Sequence, residues 1–252
     1  IKVRIVHTHL AYIPASPLKT VANRIMASVI NCTATDFWAC SRDAGKWLFF
    51  KDRKDLRVIP NAIDVDKFKF DPEKRTQMRK KMHIGCDECA LVNVGRLTAQ
   101  KNHSFMFRLV KELKKRKFNF KLFLIGDGEL KEELRAESKM MEIDDKIVFL
   151  GTRNDVGDIL QAMDVMIHPA LFEGLGNVLI ESQAAGLPVI ASATGIPKET
   201  CITDIIQYVS TDDVTEWIAQ ILRWSKIQRT DKSDEVIKAN FEKKKSKEKT
   251  CS

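Results

Sequence analysis

The chain has 252 residues, 44% of them hydrophobic, which is enough to fill the core of one large α/β domain or two small ones. Its formal net charge of +8 suits an anionic partner such as a nucleotide phosphate, an acidic membrane surface or a nucleic acid. No segment has the roughly twenty apolar residues that span a bilayer, and none has the pattern of a secretory leader, so we expect a cytoplasmic protein.

The first sixty residues show two α/β repeats, the first of which begins with an apolar strand that runs into His7 and His9. Ser41 is a good N-cap residue for the second helix. Two or three such units are too few to complete a sheet of this kind, so we expect residues 1–60 to be the last part of an amino-terminal domain. The predicted elements are strands over 1–7 and 34–39 and helices over 19–30 and 42–50.

Strands and helices alternate regularly in the rest of the chain. Such alternation is typical of a doubly wound parallel sheet with helices on both faces, which binds ligands at the carboxyl ends of its strands. We predict a second domain over 61–225, entered through a linker at 64–71, and a charged helical tail over 226–252. The predicted strands are 90–94, 121–125, 146–150, 165–168 and 188–191, and the predicted helices are 72–82, 103–116, 129–140, 156–162 and 177–185.

A glycine loop joins the strand that ends at residue 168 to the helix that begins at residue 177. Such a loop presents free backbone N–H groups and the positive end of a helix dipole, which stabilise an anion such as a diphosphate. Gly174 and Gly176 let the ligand approach the backbone closely. Glu173 and Glu181 flank the loop, and because carboxylates do not bind an anion, we expect them to accept hydrogen bonds from neutral hydroxyls. A sugar joined to a diphosphate supplies both partners.

Other strand ends also carry glycines or cations. Gly95 and Arg96 follow one strand, Lys101 precedes the next helix, and Gly126 and Arg153 follow two further strands. Arginine offers phosphate a planar fork of donors, whereas lysine offers a point charge. A single glycine at such a place is an ordinary turn, but the set favours a phosphate-bearing ligand.

Three other features have both an ordinary and a functional interpretation. At the end of its strand, His168 is predicted to be a structural, hydrogen-bonding histidine rather than a catalytic one. Cys86 and Cys89, with His83 before them, have the spacing of half a zinc site or a redox pair. Because no second pair occurs, we predict reduced thiols and no metal. Lys243–Lys245 lie on a predicted solvated helix, although contact with an acidic membrane stays open.

Six segments, in this order along the chain, resemble glycosyltransferase family 4, a retaining family with the GT-B fold. They are ACSRDAGKWLF, VIPNAIDVDKF, GRLTAQKNH, LIGDGEL, VFLGTRNDV and LFEGLGNVLIESQAAGLPVIAS, and they are most similar to bacterial exopolysaccharide-type members. The resemblance covers about residues 1 to 200. It implies a GT-B protein with two Rossmann-like domains that transfers a sugar from a nucleotide diphosphate to a hydroxyl, with retained configuration and with a UDP sugar favoured as donor.

The resemblance also implies a role for individual residues. Arg96 and Lys101 would hold the donor diphosphate, Glu173 the transferred sugar, Glu181 the ribose and Arg153 the base. Neither a cofactor nor a metal is expected, because the cations and the helix end stabilise the leaving group. The implied catalytic residues are Glu173, His9, Arg96 and Lys101, with His7 a weaker candidate, and the implied donor-binding residues are Gly95, Arg96, Lys101, Gly126, Arg153, Glu173, Gly174, Leu175, Gly176, Asn177, Val178 and Glu181.

Several classes of function remain open at this point. An enzyme would turn over a nucleotide sugar with a sugar or a lipid-linked acceptor, whereas a donor-binding fragment would bind the nucleotide alone. A sugar-nucleotide epimerase or a phosphorylase of related fold is less similar in its acidic loop. Nucleic-acid binding fits the charge, but the chain lacks the interleaved aromatic residues on which bases stack.

Overall fold

The computed structural model describes residues 2–9, 11 and 17–243. In the amino-terminal unit, a parallel three-stranded sheet has the order β1-β2-β3. The hydroxyl of Ser41 accepts a hydrogen bond from the backbone N–H of Ala44, which confirms the predicted N-cap. The elements are β1 (Ile5–Thr8), α1 (Pro17–Thr33), β2 (Asp36–Ala39), α2 (Arg42–Phe49) and β3 (Leu56–Val58).

The second unit is built on a parallel six-stranded sheet, and it confirms all five strands predicted for this part of the chain. Its helices and strands are α3 (Val65–Phe68), α4 (Pro72–Lys81), β4 (Cys89–Val94), α5 (His103–Lys115), β5 (Phe120–Ile125), α6 (Lys131–Met140), β6 (Ile147–Gly151), α7 (Val156–Ala162), β7 (Val165–His168), α8 (Asn177–Ala184), β8 (Val189–Ser192), β9 (Ile206–Val209), α9 (Val214–Trp224) and α10 (Ser233–Lys238).

The strand order β6-β5-β4-β7-β8-β9 reverses between β4 and β7. A crevice forms at such a reversal, because the connections from the two strands leave toward opposite faces of the sheet. Both faces are covered: Phe105 of α5 packs edge-on against Trp217 of α9, with ring centroids 5.3 Å apart, and the other face buries Ile159 and Leu179. The loops that follow β4 and β7 therefore lie side by side at one edge of the sheet.

A third apolar cluster joins the two units. It brings Ala44 of the amino-terminal unit together with Val65, Ile180, Val236 and Phe241 of the second unit. The predicted linker at 64–71 thus contains the short helix α3, which packs in this cluster. The shared core holds the two sheets on opposite sides of the crevice.

The structure corrects the predicted boundary at residue 225. Arg229 is buried, and its guanidinium donates to the carbonyls of Leu160, Gln161 and Met163 at the end of α7. Helix α10 then packs on α8, because Val236 is apolar and fully buried. Residues 226–241 are therefore part of the packed unit rather than a solvated tail, and Lys244 and Lys245 lie outside the described residues.

Membrane-spanning helices are not found in the described part of the chain, since none of its helices is long and apolar enough to cross a bilayer.

Candidate functional site

A cavity of about 560 Å³ opens between the two units at the carboxyl ends of β4 and β7. Its size is that of a small-molecule site. Most of the residues predicted from the glycine loop and from the strand ends meet here. The lining residues are His9, Ala11, Asn61, Val94, Gly95, Arg96, Gln100, Lys101, Phe172, Glu173, Gly174, Leu175, Gly176, Asn177, Val178 and Glu181.

Two strand-end loops touch backbone to backbone at the edge of this cavity. Gly126 has φ +136°, and a Cβ on it would lie 2.0 Å from the carbonyl oxygen of Gly95, so that only glycine fits there. A Cβ on Gly95 would in turn lie 2.6 Å from Cε of Lys101. The glycine at 95 leaves room for the lysine stem, whereas Gly126 itself lies outside the cavity lining and supports the loop from behind.

Two side-chain donors hold the carboxylate of Glu173 in the cavity. Its Oε1 accepts hydrogen bonds from Nζ of Lys101 at 2.5 Å and from Nε2 of His168 at 2.9 Å, and its backbone N–H donates to the carbonyl of Gly195. Burial by itself would raise the pKa of this carboxyl, but the bonds from His168 and Lys101 outweigh it and lower the pKa to about 2. Glu173 is therefore ionised at neutral pH.

Glu181, on the next helix, has the opposite electrostatic environment. Its carboxyl makes no hydrogen bond or ion pair with any described residue, and burial raises its pKa to about 7. An acid in this state changes charge near neutral pH and gains most from a partner that a ligand would bring.

Free backbone donors line the loop between these two acids. None of the amide N–H groups of residues 174–178 has an acceptor among the described residues. Gly176 has φ +81°, a left-handed conformation that favours glycine, and it places the start of α8 next to the loop. From the amino-terminal unit, the hydroxyl of Ser41 donates to the carbonyl of Gly174 at 2.5 Å. The loop is thus fixed from behind while its N–H groups stay free to bind an anion.

The two predicted cations line the same cavity as these N–H groups. Arg96 is exposed and has no ion-pair partner among the described residues, whereas Lys101 is paired with Glu173. Together with the free amides they form the side of the cavity that suits an anion.

His9 reaches the cavity from the amino-terminal unit through a chain of hydrogen bonds. The amide nitrogen of Asn61 donates to Oδ1 of Asn177 at 3.2 Å, so its oxygen is left to accept from Nδ1 of His9 at 2.9 Å. Asn61 was not predicted as a site residue, although it lies in the segment VIPNAIDVDKF that carries the resemblance. Gln100 was also missed; it joins two loops by donating to the carbonyl of Phe172.

Arg153 and His7 do not line this cavity. The guanidinium of Arg153 is bound by the carboxylate of Asp155, at 2.7 Å, and lines a separate cleft beside α4 and α7. Its predicted contact with the base therefore stays a prediction. The ring of His7 lies against the ring of His9, with centroids 4.1 Å apart and the ring planes tilted by 47°, and His7 is not among the residues that line the cavity.

The cysteine pair is divided between solvent and core. Cys86 is exposed, whereas Cys89 begins β4 and is buried, which raises the pKa of its thiol. In the described ranges, no cluster of three or more His, Cys, Asp or Glu side chains could hold a metal ion.

Two α/β units, each with a parallel sheet, and a ligand-sized cavity lined by residues of both units are the arrangement of the GT-B class of fold. The chain belongs to the family of glycosyl transferases group 1, whose sequence model matches residues 74–244. It is 31% identical over 203 residues to the putative glycosyltransferase EpsF of Bacillus subtilis, a match that covers 79% of this chain and 53% of EpsF.

A second relative is the Escherichia coli UDP-Gal:alpha-D-GlcNAc-diphosphoundecaprenol alpha-1,3-galactosyltransferase, 32% identical over 146 residues, which are 57% of this chain and 38% of that protein. Among solved structures, HepE of Anabaena in complex with UDP and glucose superposes with a TM-score of 0.75 at 18% identity, over 93% of this chain and 65% of HepE. This similarity shows the shared fold. The chain spans about half the length of EpsF, or less in the case of the E. coli protein.

Proposed function

We propose that this chain forms the donor-binding part of a retaining glycosyltransferase. It would transfer a sugar from a nucleotide diphosphate, with UDP as the favoured nucleotide, to a hydroxyl of a sugar or lipid-linked acceptor. The observation that carries the proposal is the cavity itself. Its lining combines the N–H groups of residues 174–178, which have no acceptor among the described residues, with two cations and with two carboxylates in opposite electrostatic states.

The cationic side fits the leaving diphosphate. When the bond between the anomeric carbon and the diphosphate oxygen breaks, negative charge gathers on the diphosphate. Arg96, Lys101 and the amides of residues 174–178 would stabilise that charge, and preoriented donors of this kind are worth several kcal/mol each in a transition state. We therefore propose that the transfer needs no metal ion.

The carboxylates fit the neutral hydroxyls of the donor. Glu173 is ionised at neutral pH, so it accepts hydrogen bonds from the sugar and does not serve as a proton donor. Glu181 has no partner among the described residues, which suits a carboxyl that binds the ribose hydroxyls of a ligand. His9 faces the same space from the other unit and would contact the sugar near the reacting carbon.

A panel of nucleotides tests the proposal most simply. Thermal unfolding would be followed with UDP, GDP and ADP and with the glucose or mannose conjugate of each. We expect one diphosphate to raise the midpoint more than the others, and its sugar conjugate to raise it further. If no nucleoside diphosphate stabilises the chain, the proposal is wrong.

Turnover distinguishes the complete enzyme from a donor-binding fragment. The fragment is an alternative because the match to EpsF covers only 53% of that protein. Release of UDP from a bound UDP sugar, with added acceptor, would show an active transferase. Binding without release, or release only after a larger form of the protein is used, would assign this chain the donor-binding role alone.

A lipid-linked acceptor would place the protein at the inner face of a membrane as a peripheral protein. The net charge of +8 and the name of the E. coli relative, which includes a diphosphoundecaprenol-linked sugar, support this part of the proposal. Sedimentation with vesicles that contain anionic lipid should fall as salt is raised, and neutral vesicles serve as the control. Equal binding to both vesicle types would contradict it.

A further inference from the structure

We propose that His168 is a positioning residue for Glu173. It donates its Nε2–H to Oε1 of the carboxylate and so leaves the second oxygen, Oε2, to the sugar. This inference rests on the proposed function, because it gives Glu173 the contact with the sugar. It concerns a residue that lies behind the cavity wall rather than in its lining.

The hydrogen-bond pattern determines the tautomer of His168. An ionised carboxylate only accepts hydrogen bonds, so the proton of this 2.9 Å contact is on Nε2 of the imidazole. The ring is fully buried, and Nδ1 has no hydrogen-bond partner among the described residues. A second proton on Nδ1 would thus be a buried donor without an acceptor, which costs about 1–3 kcal/mol. The ring is therefore the neutral Nε2–H tautomer.

The fold fixes the position of this donor. His168 is the last residue of β7, where it pairs in register with Ala191 of β8. The chain then returns so that Glu173, five residues later, lies over the end of the same strand, and the bond from its N–H to the carbonyl of Gly195 holds it there. A ring at the end of a central strand keeps its place when a ligand enters.

Lys101 shares the same carboxylate oxygen but cannot replace His168. Its ammonium is a charge on a flexible stem, it lines the cavity, and the proposed diphosphate lies on its side of the site. When a diphosphate binds, Lys101 interacts with both the diphosphate and Glu173, whereas His168 donates to Glu173 alone. The histidine is the donor that holds the orientation of the carboxylate in both states.

Calorimetry with UDP and UDP-glucose measures this role. In the wild-type chain, UDP-glucose should bind more tightly than UDP because Glu173 adds contacts to the sugar. His168→Leu should reduce that gain about tenfold and leave the affinity for UDP within about twofold, since one hydrogen bond to a charged group is lost. His168→Gln retains a donor of similar reach and should restore most of the gain.

His103→Leu is the matched control. His103 is also a buried ring, 2% exposed, but no hydrogen bond joins it to Glu173. Its loss should leave the gain from the sugar unchanged. An unchanged gain in His168→Leu, or an equal loss for UDP and UDP-glucose, would overturn the proposal, because a structural role alone lowers both affinities together.

The pH dependence of the sugar gain is a second readout, and a purely structural role of His168 would not change it. With both donors present, the low pKa of Glu173 keeps this carboxylate ionised between pH 8 and pH 5, so it adds no pH dependence of its own to the sugar gain. Without His168, burial is opposed by Lys101 alone, so the pKa of Glu173 rises and the gain should fall as the pH is lowered. Dividing the gain of His168→Leu by that of the wild type cancels the titration of the terminal phosphate of UDP, and a ratio that does not fall as the pH is lowered contradicts the proposal.

NMR of the ligand-free chain separates this inference from the proposed function. With ¹⁵N-labelled histidine, the spectrum should show His168 as the neutral Nε2–H tautomer, with a hydrogen-bonded ring proton that shifts in Glu173→Gln. A ring protonated at Nδ1 instead would overturn the inference. If the ring has the expected tautomer but wild-type chain gains nothing from the sugar, the proposed function fails instead.

Discussion

Two carboxylates in one cavity, Glu173 and Glu181, have pKa values that are shifted in opposite directions. Glu173 has two donors on one oxygen and a pKa of about 2, whereas Glu181 has no described partner and a pKa of about 7. Burial pushes both pKa values upward, so the partners alone decide the sign of the difference. Glu173 therefore has its hydrogen-bond partners before a ligand binds, and we call its side of the cavity the prepared wall. Glu181 would gain partners only from the ligand, and we call its side the unprepared wall.

This difference follows from where the two acids lie in the fold. Glu173 is in the loop after β7, within reach of the strand end that carries His168 and of the loop that carries Lys101. Glu181 lies in the second turn of α8, past the free N–H groups of residues 174–178. The diphosphate that we propose would lie between them, with the sugar on the prepared side and the ribose on the other.

The largest effect is expected from Lys101→Ala, which removes a cation from the prepared wall. The affinity for UDP should fall about a hundredfold, as expected for the loss of charge-assisted hydrogen bonds worth about 3 kcal/mol. The affinity for uridine, which has no phosphate, should change less than about twofold. Calorimetry with both ligands measures the difference.

Lys114→Ala is the control for this substitution. Lys114 lies in the last turn of α5, far along the helix from the cavity, and is paired with Asp145 at 2.7 Å. It should leave both affinities unchanged. If Lys101→Ala weakens the affinity for UDP and for uridine by the same factor, Lys101 does not contact the diphosphate.

Glu181→Gln tests the unprepared wall through protein stability. The folded pKa of about 7 is above the ordinary value of 4.5, so well below pH 4.5 the acid is protonated in both states and costs nothing. Between pH 4.5 and pH 7 the acid ionises in the unfolded chain but stays largely protonated in the folded chain, so the folded state loses stability as the pH rises. Glu181→Gln should therefore unfold at nearly the same denaturant concentration as wild type near pH 4.5. At pH 8 it should be more stable by about 2 kcal/mol, because a rise of the pKa from 4.5 to 7 corresponds to roughly 3.4 kcal/mol and partial exposure to solvent reduces this value.

Glu133→Gln, an exposed acid on α6, is the matched control and should show no such dependence on pH. Denaturant titrations at both pH values measure the free energy of unfolding. A stabilisation of Glu181→Gln that is the same at pH 4.5 and pH 8 would mean that charge burial is not its cause.

The smallest expected effect is that of metal removal. Because Arg96, Lys101 and the amides of residues 174–178 are placed to offset the charge of the diphosphate, a chelator should change the affinity for UDP by less than about twofold. Magnesium added back should also have little effect. A large loss in chelator that magnesium reverses would contradict the metal-free proposal.

Hydrophobic patterning was enough to predict the central sheet, because buried parallel strands are almost continuous apolar runs. It missed β3 (Leu56–Val58) and β9 (Ile206–Val209), which are short and carry Arg57 and Gln207. It also misassigned the region after Trp224. The charged composition there conceals Arg229, whose buried guanidinium is stabilised by carbonyls from a distant helix end.

The sequence predicted which residues line the site, but it did not predict the hydrogen bonds between them. Resemblance and the glycine loop led to Glu173, Lys101 and Arg96, and strand ends of a parallel sheet do meet at one edge. That Lys101 and His168 share one carboxylate oxygen could not be predicted, because it depends on the register of separate strands and on the return of the loop over β7. A sequence motif identifies the residues of a site, whereas their pKa values depend on the groups that they contact in the folded structure.

The division of labour between the two acids is tested most directly by calorimetry with uridine, UDP and UDP-glucose on Glu173→Gln and Glu181→Gln. Glu173→Gln should abolish most of the gain from the sugar and leave uridine and UDP bound as in wild type. Glu181→Gln should weaken all three ligands by the same factor and preserve the gain from the sugar. The opposite pattern, or equal losses in both variants, would contradict the account.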